Sequence, residues 1–123
     1  MNSSRALAAA GVLLALATVC GAFAAHALRG QLPPERLQLW ETAVRYQFFQ
    51  SLGLIGVGVA MRTLDGYLMH WAATLLIAGV LLFSGSLYAL SLGAPRAVGV
   101  LTPLGGLVWI GAWLMFAFAV WRH

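Results

Sequence analysis

Glu41 and Arg45 are the only oppositely charged residues set inside a long apolar helical pattern, in the stretch Trp40 to Phe49 that reads WETAVRYQFF. They stand four residues apart with the acid first, which puts both on one helical face in the better order for an ion pair. Gln38 lies three residues earlier on the same stripe. Two readings stand: a membrane ion pair that orients its helix, or a site for a ligand or a proton. His26 is the natural proton handler to join such a site, because an imidazole titrates near pH 6.5, roughly. Taken alone, a histidine at the end of an apolar run is an interfacial hydrogen-bonder. Ser84, Ser86 and Tyr88 fall in Phe83-Ser84-Gly85-Ser86-Leu87-Tyr88, whose plainest use is tight helix contact with hydroxyls bonded to backbone or to a neighbour. Thr102-Pro103-Leu104-Gly105-Gly106 reads either as an ordinary helix start or as a start whose free N–H groups attract an anion. The candidate ligand-binding set is therefore His26, Glu41, Arg45, Ser84, Tyr88 and Thr102.

These residues have to be positioned by apolar helices. Runs of about 18 or more apolar residues recur, the signature of membrane spans. The spacing predicts spans over about 6–28, 38–61, 68–92 and 98–121, all in one domain of 123 residues. The first run begins after Arg5 and meets Ala22-Phe23-Ala24, which resembles a signal-peptide cleavage site. Apolar character continues to Leu28, however, so a retained span is favoured. Ala17, Gly21 and Ala25 form a ridge of small residues along it. Pro34 suits the first position of the next helix and Glu35 its first turn. No Gly or Pro interrupts from Glu35 until Gly53, so one long helix from about Pro34 to Met61 is expected, rather than a surface helix followed by a short span. Asp65-Gly66 and Gly93 to Pro95 mark tight turns. The last helix starts either near Ala97 with a kink at Pro103, or with Thr102 as N-cap and Pro103 as first residue.

The result is an all-α membrane protein, an antiparallel four-transmembrane-helix bundle. Both termini share one membrane face with the 62–66 turn. Up-down connectivity brings His26, Glu41, Arg45, Ser84, Tyr88 and Thr102 to the opposite face, beneath which a polar pocket is expected. Composition agrees: 62% of residues are hydrophobic and 8% charged, too few charges to cover a soluble domain of this size. Outside the spans, Arg5, Arg62 and Arg122 balance Arg29, Arg36 and Arg96, so the positive-inside rule leaves orientation open. A short polar N-terminus before tight hairpins favours both termini in the cytoplasm.

The net charge of +4 comes from arginines scattered near helix ends, where they snorkel toward headgroups. No basic cluster with interleaved aromatics speaks for nucleic acid. The single cysteine, Cys20, can form no intrachain disulfide. No phosphate loop, metalloprotease motif, paired-cysteine motif or nucleophile elbow is present, and only three carboxylates exist. No enzyme activity, cofactor or metal is expected. A small multidrug exporter fits poorly, because no acid lies between Ala6 and Leu28. The expected partners are membrane lipids, with a small anion or lipid headgroup in the pocket. The alternative is a structural or assembly subunit, a homo-oligomer or part of a larger membrane complex, using Gly53, Gly56, Gly79, Gly105 and Gly111 for close contacts.

Five stretches in order carry a family resemblance: GAFAAHAL (Gly21 to Leu28), LPPER (Leu32 to Arg36), WETAVRYQ (Trp40 to Gln47), LFSGSLY (Leu82 to Tyr88) and TPLGG (Thr102 to Gly106). Together they resemble the domain of unknown function 423 family, which includes small bacterial YgdD-like inner-membrane proteins and a eukaryotic transmembrane relative. Ala24 stands where the family pattern often has glycine. The resemblance implies a four-span, multi-pass protein of the inner (plasma) membrane with its first span retained. It implies no activity.

Overall fold

The computed structural model describes the whole chain, Met1–His123. Helix α1 covers Ser3–Phe23 and runs on through a π-helical turn at Ala24–Leu28. Helix α2 covers Pro34–Ala60, α3 covers Tyr67–Ser91 and α4 covers Leu101–Trp121. A 3-10 turn at Arg96–Val100 leads into α4, and there are no strands. Asn2 caps α1 by accepting from the Arg5 N–H at 2.8 Å. Pro34 opens α2 as its first residue, where a missing N–H costs nothing, and Glu35 sits at the positive end of the helix dipole. The three connections each turn on a glycine with positive φ, at Gly30, Gly66 and Gly93.

Three segments are long and apolar enough to cross a bilayer: Ser3–Leu28, Tyr67–Ser91 and Arg96–Trp121. Helix α2 is the longest helix, at 27 residues, but its first half carries Glu35, Arg36, Glu41 and Arg45. The long uninterrupted α2 matches the reading of a single helix from Pro34.

α2 and α3 form the central pair. α1 lies along α2, α4 lies along α3, and α1 and α4 do not pack on each other. The four helices thus form an open bundle rather than a closed ring. The reason lies in the side chains at the seams. α1 meets α2 through the fully buried Ala6, Ala10 and Ala17, a narrow ridge that permits close approach. α4 inserts Trp109 and Trp113 over Gly79 and Gly53, where a Cβ would collide with the indole rings. Trp113 reaches across to α2 and donates to Gln50 Oε1 at 2.8 Å. The main core joins Ala6, Ala10, Leu54, Val57, Met69 and Leu76 with Trp109 and Ala112. Large apolar side chains such as Val12, Val19, Leu107 and Leu114 point outward instead, each more than half exposed. A surface of that kind suits lipid and not water.

The expected sidedness holds. Ser3 Oγ donates to the Gly58 carbonyl at 2.7 Å, and the 64–66 turn lies beside Arg122 and His123. At the other end, Arg36 Nη1 lies beside Gly93, linking the two connections of that face.

Of the two readings of the start of α4, the second needs correction: Thr102 is not its N-cap. The chain is already helical from Arg96, with the tight 3-10 turn passing into α-helix just before the proline. Pro103 has no N–H to bond the Gly99 carbonyl, so the change of helix type falls where an α-helical bond is impossible anyway. Thr102 to Gly106 is therefore not the start of the helix, and the Leu101 N–H before it is already bound to the Val98 carbonyl.

Candidate functional site

The end of α1 is remodelled by its π-helical turn. The Arg29 N–H bonds the Ala24 carbonyl, five residues back, at 3.1 Å. Such wide turns commonly mark functional positions in helices. Beside it, Trp40 Nε1 donates to the Cys20 carbonyl at 2.9 Å and anchors the start of α2 against α1. Between the two helices lies a groove of about 310 Å³. Gly21, Ala24, Ala25 and Arg29 line one wall, and Glu41, Val44 and Arg45 the other. Arg29, Glu41 and Arg45 are all exposed.

The i, i+4 ion pair between Glu41 and Arg45 is not formed. The one acid–base contact in the molecule is His70 Nε2 to Asp65 Oδ1 at 3.4 Å, at the opposite end of the bundle. The physical reason is the small energy of an exposed helical pair, roughly 0.2–0.5 kcal/mol, which does not hold two long side chains in one geometry. Two guanidinium groups and one carboxylate therefore line the groove without a partner inside the protein. Planar guanidinium forks match phosphate and carboxylate oxygens. Phe49 and Leu52 continue the Arg45 face of α2 toward the middle of the helix, and both are more than half exposed. The groove thus joins a charged mouth to an apolar, outward-facing stripe.

A different set of polar groups closes the interior seams. Gln47, buried in α2, donates from Nε2 to the Leu13 carbonyl at 2.8 Å and accepts at Oε1 from Tyr88 OH at 2.7 Å. One side chain thereby ties α1, α2 and α3. Ser84 Oγ donates to the Ala43 carbonyl at 2.8 Å. Ser86 and Thr102 share a short hydroxyl contact across the α3–α4 seam. Trp109 Nε1 donates to the Leu76 carbonyl at 3.1 Å. The rings of Trp40 and Tyr88 meet edge to face at 4.6 Å. Interhelical bonds of this kind contribute on average about 0.6 kcal/mol each in a bilayer. Ser51 Oγ is the exception, a buried side-chain atom with no hydrogen-bond partner. A second groove, of about 200 Å³, opens where α1 and α3 part and is walled by Leu16, Cys20, Gln47 and Leu81.

The six residues expected to share one pocket occupy several places. Glu41 and Arg45 line the charged groove. Ser84 and Tyr88 belong to the bonded interior and border the second groove. Thr102 is engaged with Ser86 at the α3–α4 seam. His26 is exposed on the π-helical turn and lines neither groove. They share an end of the bundle but not a cavity, because helix position sets depth along the bundle whereas helix rotation sets direction. Arg29 and Gln47 lie outside the candidate set. Gln47 did carry a signal, since an amide inside an apolar helix has to find a partner.

The family model described as "Protein of unknown function (DUF423)" matches residues 20–106. The chain belongs to the DUF423 family. The match includes both groove walls and every residue of the Gln47 network except Leu13. The UPF0382 membrane protein SH2409 of Staphylococcus haemolyticus is 45% identical over 102 residues, covering 83% of each chain. The UPF0382 membrane protein YwdK of Bacillus subtilis is 41% identical over 109 residues, covering 88% of this chain and 89% of that one. No solved structure matches. The outward apolar surface and the relatives agree that this is a membrane protein.

Proposed function

We propose that this DUF423 protein crosses the cell's inner (plasma) membrane four times and binds a small anion or lipid headgroup in the groove between α1 and α2. α2 supplies the fourth span, since it lies between α1 and α3, both long and apolar enough to cross a bilayer. The observation that carries the binding role is the groove itself: Arg29, Glu41 and Arg45 converge on it and none is bonded within the protein. Arginines at a membrane boundary with no internal partner are free to take an anionic headgroup. The protein acts by binding, with lipid as its partner, and not as an enzyme. Native mass spectrometry of gently extracted protein tests this. Wild type should carry a bound phosphate-bearing lipid or anion. Arg45→Ala should lose it, and so should Ala25→Phe, which fills the groove with an apolar ring. An adduct unchanged in both variants overturns the proposal.

A second reading, a subunit of a larger assembly, is favoured by a separate observation. Gly11, Gly56, Gly85, Gly106 and Gly111 face open space, and α1 and α4 leave one side of the bundle uncovered. Another helix can approach closely there. Photo-crosslinkers placed at Gly11 and Gly111 would capture a protein partner on this reading and only lipid on the first.

A further inference from the structure

The groove is not simply cationic. A site for a bare phosphate would gain nothing from a carboxylate on its wall, because Glu41 repels the anion that Arg29 and Arg45 attract. Glu41 is exposed on the same wall as Arg45, one turn away, and bonded to neither arginine. An acceptor held beside a pair of phosphate-binding forks calls for a ligand that has a donor beside its phosphate. We infer that the groove recognises a phosphoethanolamine lipid headgroup, with phosphate on Arg29 and Arg45 and ammonium on Glu41.

The chemistry of the ammonium suits this site. It offers three N–H donors and a full positive charge, so it satisfies Glu41 by charge and by hydrogen bond together. A choline group has the charge without the donors. A glycerol headgroup has donors without the charge. The lipid form, rather than a free phosphoethanolamine, follows from what lies below the charges. Phe49 and Leu52 continue the Glu41–Arg45 stripe of α2 as an exposed apolar track, and Ala24, Ala25 and Val44 line the groove beside the charges. An acyl chain descending from the headgroup meets that track.

This inference rests on the groove being a headgroup site, and its test separates the two. The protein is reconstituted with equal amounts of phosphatidylethanolamine, phosphatidylcholine and phosphatidylglycerol, and the lipids retained on extraction are weighed by native mass spectrometry. Wild type, Glu41→Gln and Arg45→Ala are compared, with circular dichroism to show that each is folded. Wild type should retain phosphatidylethanolamine about tenfold over the other two, the size of one charge-assisted hydrogen bond. Glu41→Gln should retain all three about equally. Arg45→Ala should retain none. Equal retention of the three lipids by wild type, with loss in Arg45→Ala, overturns amine recognition and leaves the headgroup site standing. A preference for phosphatidylglycerol does the same. Retention that is indifferent to Arg45→Ala overturns both. Displacement of the lipid by equimolar glycerophosphoethanolamine overturns the lipid as the ligand's source.

Discussion

α2 carries two polar regions that are built in opposite ways. On its inner face, Gln47 is buried and bonded on both sides, to α1 and to α3, and Ala43 receives the Ser84 hydroxyl. On its outer face, Glu41 and Arg45 are exposed and bonded to nothing. The neutral groups are consumed by the fold, and the charged groups have no bond within it. A polar group in an apolar surrounding has to be satisfied. Where the protein supplies the partner the group serves stability. Where it does not, the group stays open to what surrounds the protein, and on the proposed function that is a ligand.

That contrast can be broken by substitution, and the interior should respond most. Gly105→Ala places a methyl 2.5 Å from the Phe83 backbone nitrogen and 2.9 Å from its Cβ. Backbone cannot swing aside, so α3 and α4 must part, at a cost of roughly 1–3 kcal/mol. The neighbouring Gly106 faces open space, and Gly106→Ala should be neutral or stabilising by up to about 1 kcal/mol through helix propensity. Thermal unfolding in a fixed detergent compares the two, and equal losses would contradict the packing described.

Gln47→Leu comes next. It strands the Tyr88 hydroxyl and unties α1, which should destabilise by about 1–2 kcal/mol. Tyr88→Phe on top of it should cost little more, because the two side chains share one bond. Additive losses would show that they act separately. Ser51→Ala has the opposite sign. It removes a buried hydroxyl with no partner and should stabilise by about 1 kcal/mol.

Arg45→Ala should leave unfolding within about 0.5 kcal/mol of wild type, as an exposed side chain without contacts should, while lipid retention is lost. A large loss of stability would move Arg45 from the ligand side of the comparison to the fold side.

The smallest effect lies at the other end of the bundle. Asp65 accepts the Gly66 N–H at 2.8 Å and approaches His70. The backbone bond first, and the His70 bond second, hold its carboxyl below the ordinary value of 3.8. A depressed carboxyl contributes order that is present above that ordinary value and is lost as pH falls through the lower folded one. The Gly66 amide proton should therefore titrate by NMR with a midpoint below 3.8, and Asp65→Asn should abolish the transition. A midpoint at or above the ordinary value would deny the bond.

Much of this was legible in the chain. The length of α2, its start at Pro34 and the shared end of the bundle at which the polar residues lie follow from breakers and apolar runs. The start of α4 was legible only in part, because Pro103 is compatible with several helix entries and the choice falls to the preceding 3-10 turn. The division of polar residues was not legible. Glu41 and Arg45 have ideal spacing for a pair and do not make one. Gln47, in the same motif, became the residue that ties three helices.

By itself, then, the sequence determined a membrane protein of four helices in up-down order, and the end of each helix at which its polar groups lie. Those are local properties, set by hydropathy, glycine, proline and distance along the chain. Only the tertiary structure decided which polar groups meet each other. That depends on the rotation of each helix about its axis and on which neighbour stands opposite. Alanine ridges and tryptophans seated over glycines settle both, through contacts between residues far apart in sequence.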